Sequence, residues 1–239
     1  RAIGIKRNQL SEDIFVISVY FFQVFHNIVR DGFIYNGEKY IREQLDSILN
    51  NIGQSDELII SDDGSSDKTY DIAQEYACKH LNCKCIKGPG KGVIKNFEYA
   101  LLHASGDIIF LADQDDIWEN DKVERIVPQF NNPNVLVVVH DATIVDGNGK
   151  KIQDSFFKIR GSRAGLLKNL IKNSYIGCCM AIRRELLNDA LPFPNDIEMH
   201  DWWLGLISEC KRGAVFVDEK LIKYRRHENN VSPMRHYPW

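Results

Sequence analysis

Apolar positions along this chain follow two spacings, one typical of helices and one typical of buried strands. Five apolar residues recur three or four positions apart, at Ile41, Leu45, Ile48, Leu49 and Ile52. That spacing predicts a helix of about four turns. The next apolar run, Leu58–Ile60, is short and ends at residues 62–67, where turn formers and helix-capping residues cluster. A strand, a loop and a second helix are therefore predicted in that order.

The same cycle recurs before residue 113. A strand predicted at Lys84–Lys87 is followed by a glycine-rich turn at 88–90 and by a helix whose apolar face runs from Val93 to Leu101. A buried strand is then predicted at Asp107–Ala112. Strands that alternate with helices predict an α/β fold with a mostly parallel central sheet flanked by helices. Ligands of such sheets bind outside the carboxyl ends of the strands.

The second half of the chain is less regular. β-branched residues predict a strand at Val135–Val139, and Asp-Gly-Asn-Gly at 146–149 is typical of a hairpin turn. Helices are predicted at Leu166–Ile171 and Trp202–Cys210, with a strand between them at Tyr175–Ile182. The pattern contains no internal repeat and no linker, which predicts a single domain.

Composition narrows the class of protein. The chain has 239 residues and 44% hydrophobic content, enough to bury the core of one large domain. A net charge of -3 leaves no basic footprint, so no nucleic-acid partner is expected. The six cysteines lack the spacing of a zinc site or a disulfide scaffold, which favours free thiols in a reducing compartment. The apolar run Ile14–Phe22 is too short to span a bilayer and lacks the features of a signal peptide, so we expect a soluble protein.

Three aspartates follow the predicted strand that ends at Ala112. In an extended segment, side chains two positions apart point the same way, so Asp113 and Asp115 can present two carboxylates to one ion while Asp116 faces elsewhere. Oxygen ligands suit Mn²⁺ or Mg²⁺, and such an ion can neutralise the charge on a departing diphosphate. The alternative is a solvated loop that caps a helix starting near Glu119, which accounts for one aspartate better than for three.

A second acidic pair, Asp62 and Asp63, follows the strand predicted before it. Asp-Asp-Gly-Ser is also an ordinary turn sequence. At the end of a strand, however, a carboxylate can accept a hydrogen bond from a nucleobase imide. Lys91 beside the glycine-rich turn could steer a diphosphate, although exposed lysines seldom have so specific a role.

With both clusters in place, the chain resembles the family 2 glycosyltransferases, which share the nucleotide-binding fold called GT-A. The resemblance covers about residues 34–232 and rests on motifs in the family's order. The motifs are Tyr-Asn-Gly-Glu at 35–38, Asp-Asp-Gly-Ser at 62–65, Gly-Val with Asn-Phe at 92–97, Asp-Gln-Asp-Asp-Ile-Trp at 113–118, His-Asp-Trp-Trp at 200–203 and Tyr-Arg-Arg-His at 224–227. The His-Asp-Trp-Trp form is similar to the branch that builds bacterial surface polysaccharides, adding rhamnose, glucose or galactose.

The resemblance, together with the chemistry of the side chains, implies a role for each motif. Nucleotide binding is expected at Tyr35, Glu38, Asp62, Asp63, Lys91, Asn96, Asp113 and Gln114. A metal site is expected at Asp113, Asp115 and His227. Contacts with the acceptor or the sugar are expected at Trp118, His200, Trp202 and Trp203. Asp201 is the implied general base, which takes the proton of the acceptor hydroxyl as its oxygen attacks the anomeric carbon.

Several of these assignments have structural alternatives. Asp201 precedes an apolar helix, whose amino terminus favours an ionised carboxylate, but it can also be only an N-cap. The tryptophans can stack on sugar rings or pack in the core. His227 can be structural or exposed, and Arg225 and Arg226 beside it suit phosphate oxygens.

The resemblance also divides the chain. Residues 1–33 are expected to be an irregular segment, and residues 34–239 one GT-A domain, with a nucleotide-binding half at about 34–118 and an acceptor half at about 119–239. Relatives place their first strand directly before the Tyr-Asn turn, whereas here the strand-like run Ile14–Phe22 comes too early. An insertion or a shifted reading frame would account for that offset.

The sequence thus predicts an inverting, metal-dependent glycosyltransferase that moves a sugar from a UDP- or dTDP-sugar to a carbohydrate acceptor, such as a lipid-linked oligosaccharide, in O-antigen or capsule synthesis. The expected location is the bacterial cytoplasm, with peripheral contact at the inner face of the cytoplasmic membrane as an option. Two alternatives stay open, an Asp-x-Asp phosphotransferase with Asp113 as nucleophile and a non-catalytic remnant that binds nucleotide sugars. Donor sugar, acceptor, linkage and oligomeric state are not encoded in these motifs.

Overall fold

The computed structural model describes residues 37–227 and the backbone of a strand at 14–20. The strands of this part of the chain are β1 (Ile14–Tyr20), β2 (Glu57–Asp62), β3 (Cys83–Lys87), β4 (Ile108–Asp113), β5 (Ile117–Trp118), β6 (Val137–Asp146), β7 (Lys151–Gln153), β8 (Met180–Arg183) and β9 (Ala214–Arg226). The helices are α1 (Ile41–Leu49), α2 (Thr69–Lys79), α3 (Val93–His103), α4 (Lys122–Ile126), α5 (Phe156–Arg160), α6 (Leu166–Ile171), α7 (Leu187–Ala190) and α8 (His200–Cys210).

The strands form one sheet in the order β3-β2-β1-β4-β8-β6-β9-β5, with β7 paired to β6. The first four strands are parallel, as the alternation of strands and helices predicted. β8 pairs antiparallel with β4 and β6, and β5 and β7 are also antiparallel to their neighbours. The second half of the sheet is mixed, because its longest pairing, between β6 and β9, is parallel while the shorter pairings of β5, β7 and β8 are antiparallel. In the second half, short turns such as 146–149 connect strands directly, and such turns join antiparallel strands.

Strand β1 occupies the centre of the sheet. It pairs in parallel with β2 on one side and β4 on the other, so that Val16 lies opposite both Leu58 and Phe110. β1 falls within the strand-like run Ile14–Phe22, inside the segment 1–33 that was expected to be irregular. The near-continuous apolar sequence of this run is what a strand between two parallel neighbours requires. The sheet consequently begins before residue 34.

Helix α1 is shorter than its apolar pattern predicted. Ile41, Leu45 and Ile48 are fully buried and form part of the main core. The helix ends at Leu49, because the amide of Asn51 turns back to the Ile48 carbonyl at 2.8 Å. Ile52 therefore lies beyond the helix.

The two helices predicted between residues 166 and 210 lie close to their predicted positions. α6 has the predicted bounds, and α8 begins at His200, two residues early. The strand predicted at Tyr175–Ile182 is instead a 3-10 helix, Gly177–Cys179, followed by β8. The turn lets Gly177 approach the start of α8, since a Cβ at this residue would lie 3.1 Å from His200 Nε2.

The six cysteines are free, as the sequence predicted. Among the helices that the structure describes, none is both long and apolar enough to cross a membrane.

Gly205 permits the contact between α8 and Tyr175, and this contact can be tested. A Cβ at residue 205 would lie closer than 3.0 Å to ring carbons of Tyr175, whose side chain is 2% exposed. Gly→Ala inside a helix normally stabilises by about 0.5–1 kcal/mol. We expect Gly205→Ala to lower the free energy of unfolding by about 1–3 kcal/mol, because a buried ring must move. Urea unfolding measures the change.

Gly53→Ala is the control, because a Cβ there would meet only Asp56 Oδ2, at the ordinary distance of 3.5 Å. A Gly205→Ala variant as stable as the wild type would show that the ring is free to move aside.

Candidate functional site

Two acidic clusters lie at the same end of the sheet. β2 ends at Asp62 and β4 at Asp113, and β1 runs between them with Tyr20 opposite Asp62 and Val19 opposite Asp113. Because the three strands are parallel, their carboxyl ends open on one edge. The fold thus brings together two motifs that are far apart in the sequence.

The Asp62 carboxylate is engaged by its own turn. Its Oδ2 accepts hydrogen bonds from the amides of Gly64 and Ser65, at 3.2 and 3.0 Å, and its Oδ1 accepts one from the Ser65 hydroxyl. Asp62 is also buried, at 4% exposure. These bonds fix the turn between β2 and α2, on the side of the site where a nucleoside contact is predicted.

Asp63 holds the glycine-rich loop at residues 88–92. Its carboxylate accepts hydrogen bonds from the amides of Gly90 and Gly92, at 2.6 and 2.7 Å. Burial raises the pKa of Asp63, and these backbone amides oppose the rise. Gly90 and Gly92 have φ angles of 65° and 83°, a region that favours glycine. Lys91 lies between these two glycines, whose amides are bonded to Asp63, and its side chain is exposed.

Asn96 and Gln114 are held by packing at the predicted nucleotide site. Asn96 is fully buried, and its amide accepts a bond from the Ser61 hydroxyl at 2.6 Å and donates one to the Ser61 carbonyl at 2.9 Å. These two bonds fasten α3 to β2. Gln114 packs against Gly37, where any Cβ would overlap the side-chain amide.

Glu38 caps helix α2 from a distance. Its carboxylate accepts a hydrogen bond from the Lys68 amide at 3.1 Å, and its own amide donates to Asp67 at 3.3 Å. Tyr35, the other residue predicted in this part of the pocket, lies outside the described residues.

The cluster of aspartates after β4 is largely buried. Burial raises the pKa of Asp113 to about 7, with further contributions from Asp115 and Asp201. Asp116 is fully buried, and its pKa is raised well above its ordinary value by burial and by the two neighbouring aspartates. Carboxylates this close together in a dry site need cations or hydrogen-bond donors to compensate them.

Arg225 connects the loop at residues 113–116, called the acidic loop below, to other parts of the chain. Its backbone amide donates to Asp116 Oδ1 at 2.8 Å, and its Nε donates to the Asp115 carbonyl at 2.7 Å. Its guanidinium also pairs with Glu43 at 2.7 Å and donates to the Gly147 carbonyl at 3.2 Å. Arg225 is 3% exposed. These contacts hold the guanidinium against the protein and disfavour the contact with phosphate oxygens that the sequence suggested for Arg225.

His227 lies beside the acidic loop because β9 ends there. Its Nε2 is 2.8 Å from Asp115 Oδ2, and both side chains are partly exposed. At this distance the imidazole and the carboxylate form a hydrogen bond. Asp115 also raises the pKa of the neighbouring Asp113. Carboxylates and imidazole are ligand types that Mn²⁺ binds.

A more tightly packed group lies deeper. Ligand atoms of Asp113, Asp116 and Cys178 are within 4.8 Å of one another. Asp116 and Cys178 are fully buried, and a thiol is a poor ligand for the hard cations that bind diphosphates. Burial also raises the pKa of the Cys178 thiol well above its ordinary value, so it adds no charge. We assign this group to the support of the loop, with Asp116 facing Arg225.

Lys122 places a cation beneath the acidic loop. It is fully buried, its Nζ donates to the Cys178 carbonyl at 2.9 Å, and the same atom lies 3.8 Å from the centre of the Trp118 ring. Burial lowers the pKa of Lys122 to about 8, while buried thiols and aspartates oppose that shift. At neutral pH the ammonium is still mostly charged, so it compensates part of the charge of Asp113 and Asp116.

Asp201 faces this cluster from the first turn of α8. Its Oδ1 accepts a hydrogen bond from the Trp202 amide at 2.6 Å, and the residue is 6% exposed. Burial raises the pKa of Asp201, and the amides of Trp202 and Gly177 and the Asn173 side chain oppose the rise. The N-cap of α8 is Met199, so the alternative that Asp201 is only an N-cap is wrong. Because its charge raises the pKa of Asp113, the two carboxylates share one space.

Comparison with known proteins agrees with this arrangement. The sequence profile of glycosyl transferase family 2 matches residues 33–191, well over half of the chain. The chain belongs to glycosyl transferase family 2. The membership favours sugar transfer over the Asp-x-Asp phosphotransferase that the sequence also allowed.

Three curated relatives extend the comparison. The dTDP-rhamnosyl transferase RfbG of Shigella flexneri is 31% identical and aligns over 82% of this chain and 71% of its own length. The UDP-Glc:alpha-D-GlcNAc-diphosphoundecaprenol beta-1,3-glucosyltransferase WfgD of Escherichia coli is 28% identical over 83% of this chain and 76% of its own length. An uncharacterized glycosyltransferase of Nostoc is 28% identical over 82% of this chain, which spans 63% of that relative.

The fold is also similar to a solved GT-A structure. The glucosyl-3-phosphoglycerate synthase of Mycobacterium tuberculosis, crystallised in complex with Mn²⁺, UDP and glucosyl-3-phosphoglycerate, superposes with a TM-score of 0.61. The match has 19% sequence identity and covers 94% of this chain and 79% of that one. This family 2 chain therefore has the predicted GT-A fold.

Two residues expected to contact the acceptor lie in the core of this family 2 domain. Trp118 is 2% exposed and packs against Phe110, with 5.6 Å between ring centres. His200 is 3% exposed and stacks on Phe97, with 3.7 Å between ring centres. Both side chains hold elements that carry site residues, Trp118 behind the acidic loop and His200 behind Asp201.

Trp202 and Trp203 are half-buried, with their indole N–H groups used inside the protein. Trp202 Nε1 donates to the Asn169 carbonyl at 2.6 Å, and Trp203 Nε1 donates to the Ala190 carbonyl at 2.9 Å. Only the exposed parts of the rings are available to an acceptor.

Lys122, Glu43 and Cys178 are parts of the site that were not predicted from the sequence. A buried lysine has no signature of its own in the sequence, because its burial depends on segments far along the chain. Arg225 did have a signature, its place in one motif with His227, but the motif does not tell whether the guanidinium faces a ligand or the protein.

The buried His200 leads to a prediction about stability and pH. Burial lowers its pKa from 6.5 to about 3. Below about pH 6.5 the unfolded chain binds a proton that the folded chain rejects, so stability falls as the pH drops towards the folded pKa. We expect His200→Gln to flatten the fall between about pH 6.5 and pH 4 by up to 1.4 kcal/mol per pH unit.

Urea unfolding of wild type and variant at several pH values measures this slope. His103→Gln, at an exposed position on α3, should leave it unchanged. Equal slopes for wild type and His200→Gln would mean that His200 is protonated in the folded protein.

Proposed function

We propose that this chain is the catalytic domain of an inverting, metal-dependent glycosyltransferase, which transfers a sugar from a UDP- or dTDP-sugar to a carbohydrate acceptor. The observation that carries the proposal is the convergence of three groups at one sheet edge. Asp113, the Asp115–His227 pair and Asp201 meet where β4, β9 and α8 come together. One side of this space can hold the leaving diphosphate, and the other can activate an acceptor.

The donor side is formed by the turn at 62–65, the glycine-rich loop and the acidic loop. Asp113, Asp115 and His227 would hold Mn²⁺ or Mg²⁺, and the bound ion would supply positive charge that offsets the charge of the leaving nucleotide. The synthase from Mycobacterium tuberculosis with the same fold, which was crystallised with Mn²⁺ and UDP, supports this assignment. Lys91, which is exposed on the glycine-rich loop, is the basic contact that we propose for the diphosphate.

The acceptor side is formed by Asp201. The acceptor oxygen forms a bond to the anomeric carbon while the bond from that carbon to the diphosphate oxygen breaks, and the hydroxyl proton passes to Asp201. The electron pair leaves with the nucleotide diphosphate, and attack from the opposite face inverts the anomeric centre. A carboxylate whose pKa is raised by burial accepts a proton more readily than an exposed one.

The relatives suggest the biological setting. RfbG is named for dTDP-rhamnosyl transfer, and the name of WfgD gives a diphosphoundecaprenol-linked sugar as its acceptor. A lipid-linked oligosaccharide in O-antigen or capsule synthesis, at the cytoplasmic face of a bacterial membrane, is therefore the acceptor class and setting that we propose.

Nucleotide release from a panel of UDP- and dTDP-sugars, with and without lipid-linked acceptors, tests the proposal. We expect Asp201→Asn to lower kcat by about 10²–10⁴, the contribution of a general base, while the Kd for nucleotide with Mn²⁺ changes little. Asp115→Asn should instead weaken nucleotide binding in the presence of Mn²⁺, because it removes a proposed ligand of the ion.

Asp71→Asn is the matched control, since Asp71 is an exposed aspartate in the first turn of α2. Full turnover by Asp201→Asn would refute its role as base. Donor binding without turnover by the wild type on every acceptor would favour the non-catalytic alternative.

A further inference from the structure

An apolar face is exposed on the short helix α6. Leu167 is 79% exposed, Leu170 54% and Ile171 85%. Residues at positions i, i+3 and i+4 of a helix lie on one side of it, so the three side chains form a continuous patch. The other large apolar side chains that are exposed in the described part of the chain are scattered, at Leu81, Leu102 and Ile152.

The opposite side of α6 is anchored to the helix that carries Asp201. Asn169 is fully buried, and its carbonyl accepts the hydrogen bond from Trp202 Nε1 at 2.6 Å. Glu209, near the end of α8, accepts bonds from the Gly165 amide at 2.7 Å and from Asn169 Nδ2 at 3.3 Å. The apolar patch therefore faces outward from the acceptor side of the domain.

Basic residues flank this patch in the sequence. Residues 155–174 contain no aspartate or glutamate, and their basic residues are Lys158, Arg160, Arg163, Lys168 and Lys172. Lys158, Arg163 and Lys172 are exposed. The whole chain has a net charge of -3, so this positive concentration is local. A second copy of the chain would bring the same positive surface against it and be repelled.

An apolar helix face with a rim of lysine and arginine matches the surface of an anionic bilayer. The apolar side chains enter the boundary between headgroups and acyl chains, and the basic ones pair with anionic headgroups. We propose that Leu167, Leu170 and Ile171, with their basic rim, form a membrane-docking face that holds the Asp201 side of the domain close to an anionic lipid surface. Binding of lipid by this face does not require sugar transfer.

Cosedimentation with lipid vesicles tests the proposal. We expect the protein to bind vesicles of one part phosphatidylglycerol to two parts phosphatidylcholine and to bind pure phosphatidylcholine several-fold more weakly. Leu167→Ser/Ile171→Ser should lower the partition coefficient roughly tenfold or more, because two inserting side chains are lost. The matched control is Leu81→Ser/Leu102→Ser, which removes two apolar side chains that are 104% and 66% exposed, and should change binding less than twofold.

Circular dichroism and nucleotide release from soluble substrates show whether each variant is folded and active, independently of lipid. Equal vesicle binding by the two double variants, or no binding by the wild type, would overturn the proposal. A wild-type dimer that Leu167→Ser/Ile171→Ser dissociates, without vesicle binding, would assign the face to a second copy instead.

Discussion

Repulsion between carboxylates is the constraint on which the site depends. Asp115, Asp116 and Asp201 are buried and Asp113 is partly buried, and charges in a protein interior are weakly screened. The fold holds them from two directions. Arg225, at the end of β9, bonds to the backbone and one side chain of the acidic loop, and Lys122 lies beneath it against Trp118. Both cations are buried, so each is committed to the protein.

Arg225 and Lys122 leave part of the negative charge of the aspartates uncompensated. The proposed chemistry takes place at the uncompensated carboxylates. Asp116 accepts a hydrogen bond from the backbone amide of Arg225, whereas Asp113 and the side chains of the Asp115–His227 pair are partly exposed. The same excess of negative charge that opposes folding would favour binding of a divalent cation, and the cation in turn could hold an anionic leaving group. Because the loop is fixed from β9 and α4, its carboxylates are positioned before any ligand arrives, which is how a preorganised site acts. α8 adds Asp201 on the acceptor side through its contacts with the 177–179 turn and α6.

The sequence was sufficient for the alternating elements from α1 to β4 and for the edge of the sheet at which the site lies, but not for β1 or for most of the second half. Strand β4 and the aspartates after it are adjacent in sequence, so a periodic pattern and a short motif predicted both. The parallel arrangement of β2, β1 and β4 places Asp62 and Asp113 at the same edge of the sheet, on opposite sides of β1. What could not be predicted depends on contacts between distant segments. Arg225 faces the protein because Glu43 and residue 147 are near it, Lys122 is buried because the 177–179 turn covers it, and Trp118 and His200 pack inward. A motif names such residues without indicating which way their side chains point.

The most direct test of the charge imbalance is the thermal midpoint of the metal-free chain during a titration with Mn²⁺, at constant ionic strength and without nucleotide. If Asp113, Asp115 and His227 form one cation site, Tm rises with the logarithm of the ion concentration above Kd, because ligand binding to the folded state alone stabilises it. We expect this rise in the wild type and its loss in His227→Ala, with the exposed His103→Ala behaving like the wild type. A Tm that Mn²⁺ leaves unchanged, or that rises equally in His227→Ala, would contradict the assignment of the acidic edge as a cation site.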